Sequence, residues 1–428
     1  MQTFFRKLHI IFTDKAIRNR ILFVLGALAV FRLLATVPIP GVDQVVLQQF
    51  FANNQFLGLL NVFSGGTLQN FSILMLGVGP YITASIIFQL LTMVIPRLEE
   101  LSKDGEYGQK KINQYTRILS VPLALIQAYS LVVLLRQSAL HVLPLNMTWF
   151  DTLTIMVVAA AGTTFLMWIG ELITEKKVGN GISLLIFAGI VASLPSSIGK
   201  LIGSYDPSQL PLLIAIVVLA LVTIVGVVFI TEGQRNIPVS YARQVQGTRV
   251  GSGMSTSLPL RVNMAGVIPI IFAISMVTFP PLIAQFFVRA QTDWIASTAN
   301  WIVEIFRNQS FYAIIYFVLV FAFTFFYTSV VVHPDRMAEN LQKQGAFVPG
   351  IRPGSQTAAY LTNVIMRITL AGALFLSIIA VLPLAVQAFL GTNALSIGGT
   401  SILIVVSVAI ETWKQIDGQL SMRSYDGV

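Results

Sequence analysis

Few residues in this chain could carry bond-making chemistry. There is no cysteine, and the three histidines, His9, His141 and His333, are far apart in sequence. Disulfide frameworks and cysteine zinc sites are therefore excluded. Catalysis within the apolar segments would need a nucleophile with its base, paired carboxylates or metal ligands, and the sequence has no such constellation. Arg32, Glu171 and Arg367 lie toward the ends of apolar runs, where long side chains snorkel. Between those ends, Gln89 and scattered Ser and Thr are read as the polar residues. Branched aliphatics do recur at helical spacing: Ile82 and Ile86 stand one turn apart, Ile182 and Ile186 likewise, and Ile271 and Ile404 occupy related places further on. A ring of such side chains would shut to ions by dewetting when empty and yield to a passing chain. Spacing alone favours the plainer account, isoleucine facing lipid or core.

The elements that must position these residues follow from composition. Of 428 residues 55% are hydrophobic and 11% are charged, against about 25% charged in soluble domains. A soluble chain of this length would divide into several cores joined by polar linkers, and none is visible. The chain reads as a polytopic membrane protein without enzymatic activity. A hydrocarbon core of about 30 Å needs roughly 20 helical residues. Apolar runs of that order occur at 21–37, 71–95, 118–135, 152–170, 182–198, 212–230, 264–288, 311–332, 368–390 and 397–410, the last needing flanking residues to span. The basic stretch Arg6 to Arg20 followed by the first run superficially resembles a secretory signal. That run ends in Thr36-Val-Pro-Ile-Pro-Gly41 without a small-x-small cleavage site, so it is read as the first membrane helix.

Ten helices put both termini on one side. With the N-terminus in the cytoplasm, 22 Lys and Arg fall on that side and 4 opposite, with Arg32 inside the first run. This asymmetry obeys the positive-inside rule and supports span count and orientation together. Three cytoplasmic connections are long, at 96–117, 231–263 and 333–363. Long ordered loops are usually functional. The second carries Arg235, Arg243, Arg249 and Arg261, and the third Arg336, Lys343 and Arg352 amid Gly and Pro. As a set they suggest a docking surface for something acidic; any one of them is equally consistent with merely fixing topology.

An internal repeat is visible. Gly77-Val-Gly-Pro80 in the second run matches Gly266-Val-Ile-Pro269 in the seventh, and the match extends through Ile82 with Ile271 and Ala84 with Ala273. Gly181-Ile-Ser183-Leu-Leu185-Ile186 in the fifth run matches Gly399-Thr-Ser401-Ile-Leu403-Ile404 in the tenth. Both matches are five spans apart, and an odd offset makes the second half inverted relative to the first. Pro80 and Pro269 are read as prolines inside spans, each freeing a backbone carbonyl that a central cavity or an ordinary packing kink must accommodate. Residues 38–70 contain no Lys or Arg, and Phe56 to Phe63 is apolar but too short to cross a bilayer as a helix. Running into Ser64-Gly65-Gly66, it is either a re-entrant half-helix on a glycine hinge or an interfacial helix. A secondary transporter with inverted repeats would share this architecture, but the uncharged midplane disfavours it.

In order and spacing, Pro38-Ile-Pro-Gly41, Asn61-Val-Phe-Ser-Gly-Gly66, Gly79-Pro-Tyr-Ile-Thr-Ala-Ser85, Gly179-Asn-Gly-Ile-Ser183, Asn263-Met-Ala-Gly-Val-Ile-Pro269, Gly345-Ala-Phe-Val-Pro-Gly-Ile-Arg-Pro-Gly354 and Gly398-Gly-Thr-Ser401 resemble the bacterial SecY family, channel subunits of the Sec protein translocon. The resemblance covers nearly the whole chain. It implies an all-α membrane protein with ten transmembrane helices in two inverted halves, 1–198 and 199–428, around a central pore in the cell inner membrane. It further implies that Ile82, Ile86, Ile182, Ile186, Ile271 and Ile404 form a pore ring. The plug would span about 57–70, including Leu57, Leu59, Leu60, Val62, Phe63, Ser64, Gly65 and Gly66.

By the same resemblance the second and seventh helices form a lateral gate, with Thr83, Ser85, Gln89, Ser275 and Thr278 as its polar candidates. Loops 231–263 and 333–363 would receive the ribosome or the SecA motor, with Arg243, Arg249 and Arg352 at family contact positions. Arg contacts to ribosomal RNA phosphates would fit the charge. SecE and SecG are the implied small subunits, no cofactor or metal is implied, and signal sequences, nascent polypeptides and membrane lipids are the remaining partners. Thr248-Arg249 stands where the family often has paired basic residues, which implies a weaker contact there. The tail after the last run is expected to be short and carries only Lys414 and Arg423.

Overall fold

The structure is a computed structural model and describes residues 13–40, 42–53, 61, 64–137, 142–144, 147–203, 210–241, 245–246, 249–250, 255–288, 292–390 and 399–426. The elements that coincide with the ten apolar runs are α1 (Lys15–Leu34), α3 (Gly79–Val94), α5 (Gly105–Gln137), α6 (Trp149–Glu175), α7 (Gly181–Gly203), α8 (Leu210–Glu232), α9 (Ile268–Phe287), α11 (Gln309–Val331), α13 (Ser355–Leu390) and α14 (Gly399–Asp426). Between them lie α2 (Gln44–Asn53), α4 (Pro96–Lys103), α10 (Asp293–Arg307) and α12 (Pro334–Lys343). Strands β1 (Gln234–Tyr241), β2 (Val245–Gln246), β3 (Arg249–Val250), β4 (Ser255–Arg261) and β5 (Ala346–Phe347) complete the chain. By length and composition alone, five described helices can cross a bilayer, and a sixth if α3 and α4, bent by 104°, count as one. These features make the chain a multi-pass membrane protein.

The second apolar run is helical only from Gly79; residues 64–78 are a chain of turns. Their apolarity comes from burial inside the protein. Phe71, Leu74 and Met75 are buried, and Phe71 and Met75 pack with Leu131, Val132 and Leu135 of α5. Non-helical backbone is tolerated in such a place only when its polar groups find partners, and here many of them do. The Ile39 N–H donates to the Phe71 carbonyl at 2.9 Å and the Ile73 N–H to the Val37 carbonyl at 3.1 Å. The Thr67 hydroxyl lies 2.7 Å from the Ser64 carbonyl and 2.8 Å from that of Leu74.

Two of the long connections are not irregular loops. β1 and β4 form an antiparallel hairpin in register from Gln234 with Arg261 to Ser240 with Ser255, and β5 joins the other edge of β1 at Ser240 and Tyr241. Pro238 is tolerated because β5 does not reach that far along β1. Ile237 and Leu260 bury one face of the sheet against Ala338 of α12 and Leu361, Val364 and Ile365 of α13. Connection 96–117 is likewise α4 and the first turns of α5, and the C-terminal tail is helical to Asp426.

Glycine sets the closest helix approaches. A Cβ on Gly162 of α6 would stand 2.1 Å from the Ile73 carbonyl oxygen, in the turn segment that α6 supports. Gly162→Ala is expected to destabilise the protein by about 1–3 kcal/mol through overpacking. A lowered thermal midpoint of the detergent-solubilised chain would show this; an unchanged midpoint would mean that the contact relaxes freely.

Candidate functional site

The two repeated motifs begin four helices in two matched ways. α3 follows Gly77 at φ 57° and an N-cap Val78 at φ −94°, ψ 4°; α9 follows Gly266 at φ 64° and an N-cap Val267 at φ −93°, ψ −9°. The repeat is therefore written in the backbone as well as in residue identity. Pro80 and Pro269 lie in the first turns of these helices, where a missing N–H costs nothing. They do not free a mid-span carbonyl, which corrects the reading of both as prolines inside spans. α7 and α14 start at the matched glycines 181 and 399. At α7 a Cβ on Gly181 would stand 1.8 Å from the Gly170 carbonyl oxygen, so this start is wedged against α6.

These starts deliver the isoleucines to one apolar interior. Ile82, Ile86, Ile186, Ile271 and Ile404 are at most 4% exposed and belong to a single apolar cluster, with Ile182 half-buried against it. Lipid-facing placement is thereby excluded for the five. The six side chains come from α3, α7, α9 and α14, two helices from each matched pair. Gly170 leaves the space that the Ile182 Cδ1 fills, 2.7 Å from where a Cβ would stand. Water gains nothing among such side chains, and the burial of each large aliphatic contributes about 1.5–3 kcal/mol.

Beside the cluster, a cavity of about 60 Å³ separates α3 from α9. It is lined by Thr83 of α3, Ser275 and Thr278 of α9, Ser64 of the turn segment and Gln127 of α5, among apolar neighbours. N-terminal residues of α3 share it with the second half of α9, as antiparallel neighbours would. The Thr83 hydroxyl donates to the Gly79 carbonyl at 3.1 Å and that of Thr278 to the Ser275 carbonyl at 3.0 Å. The hydroxyl oxygens keep accepting capacity toward the cavity. Ser85 and Gln89 lie outside it: the Gln89 amide donates to the Ser85 hydroxyl at 3.3 Å, and Gln89 Oε1 is buried without a partner among the described residues. Gln127 was missed in the sequence, although it is a lone amide in an otherwise apolar run.

Arg32 does not simply snorkel. Its Nη1 donates to the Gly65 carbonyl at 3.2 Å, tying α1 to the turn segment. Gly65 and Gly66 sit at φ 73° and 79°, which favours glycine. A Cβ on Gly189 of α7 would lie 2.1 Å from the Gly65 Cα, so the two backbones touch. The Asn61 side chain accepts from the Gln69 N–H at 2.9 Å, and its carbonyl from the Gly66 N–H at 2.8 Å. Leu57, Leu59, Leu60, Val62 and Phe63 lie outside the described residues, so the expectation of a half-helix there is not addressed.

Arg243 also lies outside the described residues. Arg249 is described only as backbone in β3, and Arg352 is exposed beyond β5. The sheet joins the two basic connections into one face. Lys343 of that face is engaged by Glu339 at 2.7 Å, and this hydrogen bond holds the Glu339 carboxyl below its ordinary range. Among the described residues no group of three or more His, Cys, Asp or Glu could hold a metal ion.

A family described as SecY matches residues 72–413. The protein translocase subunit SecY of Vibrio cholerae is 45% identical over 420 residues, covering 96% of this chain and 94% of that protein. A solved protein-conducting channel superposes with a TM-score of 0.64 at 16% identity, over 92% of this chain and 90% of that one. Sec61 from a canine ribosome-channel complex of the endoplasmic reticulum gives 0.61 at 16% identity, with the same coverage.

The Arg32 bond is testable because the chain has no cysteine of its own. In an otherwise unchanged chain, Ser64→Cys is expected to react slowly with a membrane-impermeant maleimide. Adding Arg32→Met should speed that reaction about tenfold, the lower end of what a hydrogen bond to a charged group contributes. An unchanged rate would show that Arg32 does not hold the turn segment.

Proposed function

The chain belongs to the SecY family, and we propose that it is the pore-forming subunit through which unfolded secretory polypeptides cross the inner membrane and membrane segments leave sideways into lipid. The observation that carries this reading is the convergence of six isoleucines from four helices on one apolar cluster, beside a small, mainly apolar cavity between α3 and α9 that a few polar side chains enter. In this reading the isoleucines are the constriction, residues 57–70 the plug, and α3 with α9 the lateral gate. The halves 1–198 and 199–428 move against each other about that gate. Both termini face the cytoplasm, as the basic residues favour.

The mechanism needs no bond-making residue, and the chain is not an enzyme. An apolar signal segment enters between α3 and α9, stabilised by roughly 0.3–0.6 kcal/mol per large aliphatic residue at the bilayer centre. It must displace the apolar contacts between the two helices beside the polar groups of Thr83, Ser275, Thr278 and Gln127. That polar lining weakens the closed gate, since a gate zipped only by aliphatics would have less reason to part. The plug then moves aside, and a hydrophilic chain passes while the isoleucines close round it. Directional energy comes from partners docked on the face built by β1, β4, β5 and α12: the ribosome or the SecA motor. SecE and SecG complete the assembly from the lipid side.

Two measurements test this. Wild-type protein in planar bilayers should be ion-tight, whereas Ile86→Asn with Ile186→Asn and deletion of residues 57–67 should conduct. A variant as tight as the wild type would sink the pore assignment and favour a transporter in which those isoleucines merely pack. For docking, Arg352→Gln should lower ribosome binding to proteoliposomes and reduce the slope of log affinity against log salt by about one, the loss of a single phosphate contact. An unchanged slope would remove Arg352 from the contact.

A further inference from the structure

α10 joins the end of α9 remote from the β1–β4 hairpin to the start of α11, so it lies at a membrane face if those two helices cross the bilayer. It packs on both. At 3.6 residues per turn its side chains fall into three rows. Buried Ala299, with half-buried Ile295, Ile302 and Phe306, faces the protein, and Phe306 meets Phe311 of α11 edge to face at 5.7 Å. Asp293, Ser297, Asn300, Glu304 and Arg307 form a second row, all exposed. Trp294, Thr298, Trp301 and Ile305 form the third, between the other two, with Trp294 75% and Trp301 61% exposed.

The third row is built for neither water nor the protein core. Two indoles at i and i+7 are a large apolar area to leave in water, and an indole prefers a place where its ring is dry and its N–H is wet. Thr298 between them donates its hydroxyl to the Trp294 carbonyl at 2.8 Å, so it asks nothing of the surroundings. The polar row contains two acids and one base, so attraction to anionic lipid does not drive the contact. The surface continues into lipid on either side: Phe287 ends α9 at 42% exposed, and Ile314 opens α11 at 64%.

We propose that α10 lies in the headgroup layer of the membrane face opposite the hairpin, with Trp294 and Trp301 seated at the acyl boundary, and that it fixes the depth of the adjoining end of α9. This rests on the membrane-channel reading above. It gives the gate helix α9 a fixed end, so that gate motion is taken up along its length and at the Gly266 start.

The test is tryptophan quenching in the full chain, reconstituted in vesicles of phosphatidylethanolamine and phosphatidylglycerol, with Trp149, Trp168 and Trp413 replaced by Phe. Two versions keep either Trp294 or Trp301, and a third has all five replaced and carries Leu221→Trp, a lipid-facing position of α8 that is 57% exposed. Emission of Trp294 and Trp301 should be blue-shifted. It should be quenched more by lipid brominated high on the acyl chain than by lipid brominated near its middle, and little by iodide on both sides. Quenching by iodide alone would place the row in water, and quenching by neither would place it under protein; either overturns the proposal. If the tryptophan at 221 also escapes brominated lipid, the membrane reading itself fails; if it is quenched while the α10 tryptophans are not, only this proposal does.

Discussion

A backbone polar group left without a partner in a dry interior costs more than most side-chain contacts return, and the centre of this protein depends on meeting that demand without a helix. Residues 64–78 cross protein, not lipid. Many of their N–H and carbonyl groups are met by Asn61, Ser64, Thr67 and the strand-like contact at Pro38 and Ser72. That self-contained bonding lets the segment sit between α1, α7 and α9 while making few polar demands on them. The Arg32 hydrogen bond and the Gly65–Gly189 contact tie its first turns to α1 and α7, while Phe71, Leu74 and Met75 anchor its later turns in the apolar interior. A continuous helix in the same place would bury a whole apolar face, and its departure would open a far larger void.

The glycines preceding α3 and α9 follow from the same constraint. A helix that starts inside the protein has unpaired N–H groups in its first turn. Placing Pro there removes one donor, and a left-handed glycine just before turns the chain sharply into the helix axis. At Gly77 the space is also closed, since a Cβ would lie 2.7 Å from the Ser64 Cα; at Gly266 nothing is near, and only the backbone angle requires glycine. The repeat thus preserves a way of starting a helix more faithfully than it preserves neighbours. The isoleucines two residues beyond each proline inherit their position from that start.

Sequence reasoning was effective where a period or a count could be checked against a physical scale. Run lengths against bilayer thickness located ten helices, and paired matches at one offset located the isoleucines, because both signals survive without knowledge of contacts. It failed where apolarity had a second cause. Residues 71–78 read as span because burial in protein and burial in lipid select the same side chains. Pro80 and Pro269 read as prolines inside spans because a proline's place in a helix depends on where the helix begins, and a run of apolar residues does not mark its own first turn. Gln127 carried a signal, a single amide in an apolar run, but nothing local connects it to α3 and α9. The β1–β5 pairing joins residues about a hundred apart through two residue pairs, which leaves no periodic trace.

Those two pairs matter because of where the sheet rests. α13 has 36 residues, a length of about 54 Å, well beyond the hydrocarbon core. Its first turns, through Leu361, Val364 and Ile365, carry the sheet and α12; its later turns, through Leu376, Ile379 and Ala380, belong to the same apolar cluster as the isoleucines of α3, α7, α9 and α14. A close-packed helix transmits displacement along its axis with little loss, since its side chains cannot yield independently of their neighbours. In the proposed channel, a partner seated on the sheet would act on the isoleucines through one continuous element, without needing a chain of loop contacts. The hairpin's attachment to α8 and α9 at its two ends adds a second route, directly into α9. Under that proposal, force on the sheet is divided between the helix that backs the cluster and the helix proposed to gate it, which is the geometry needed to loosen both together.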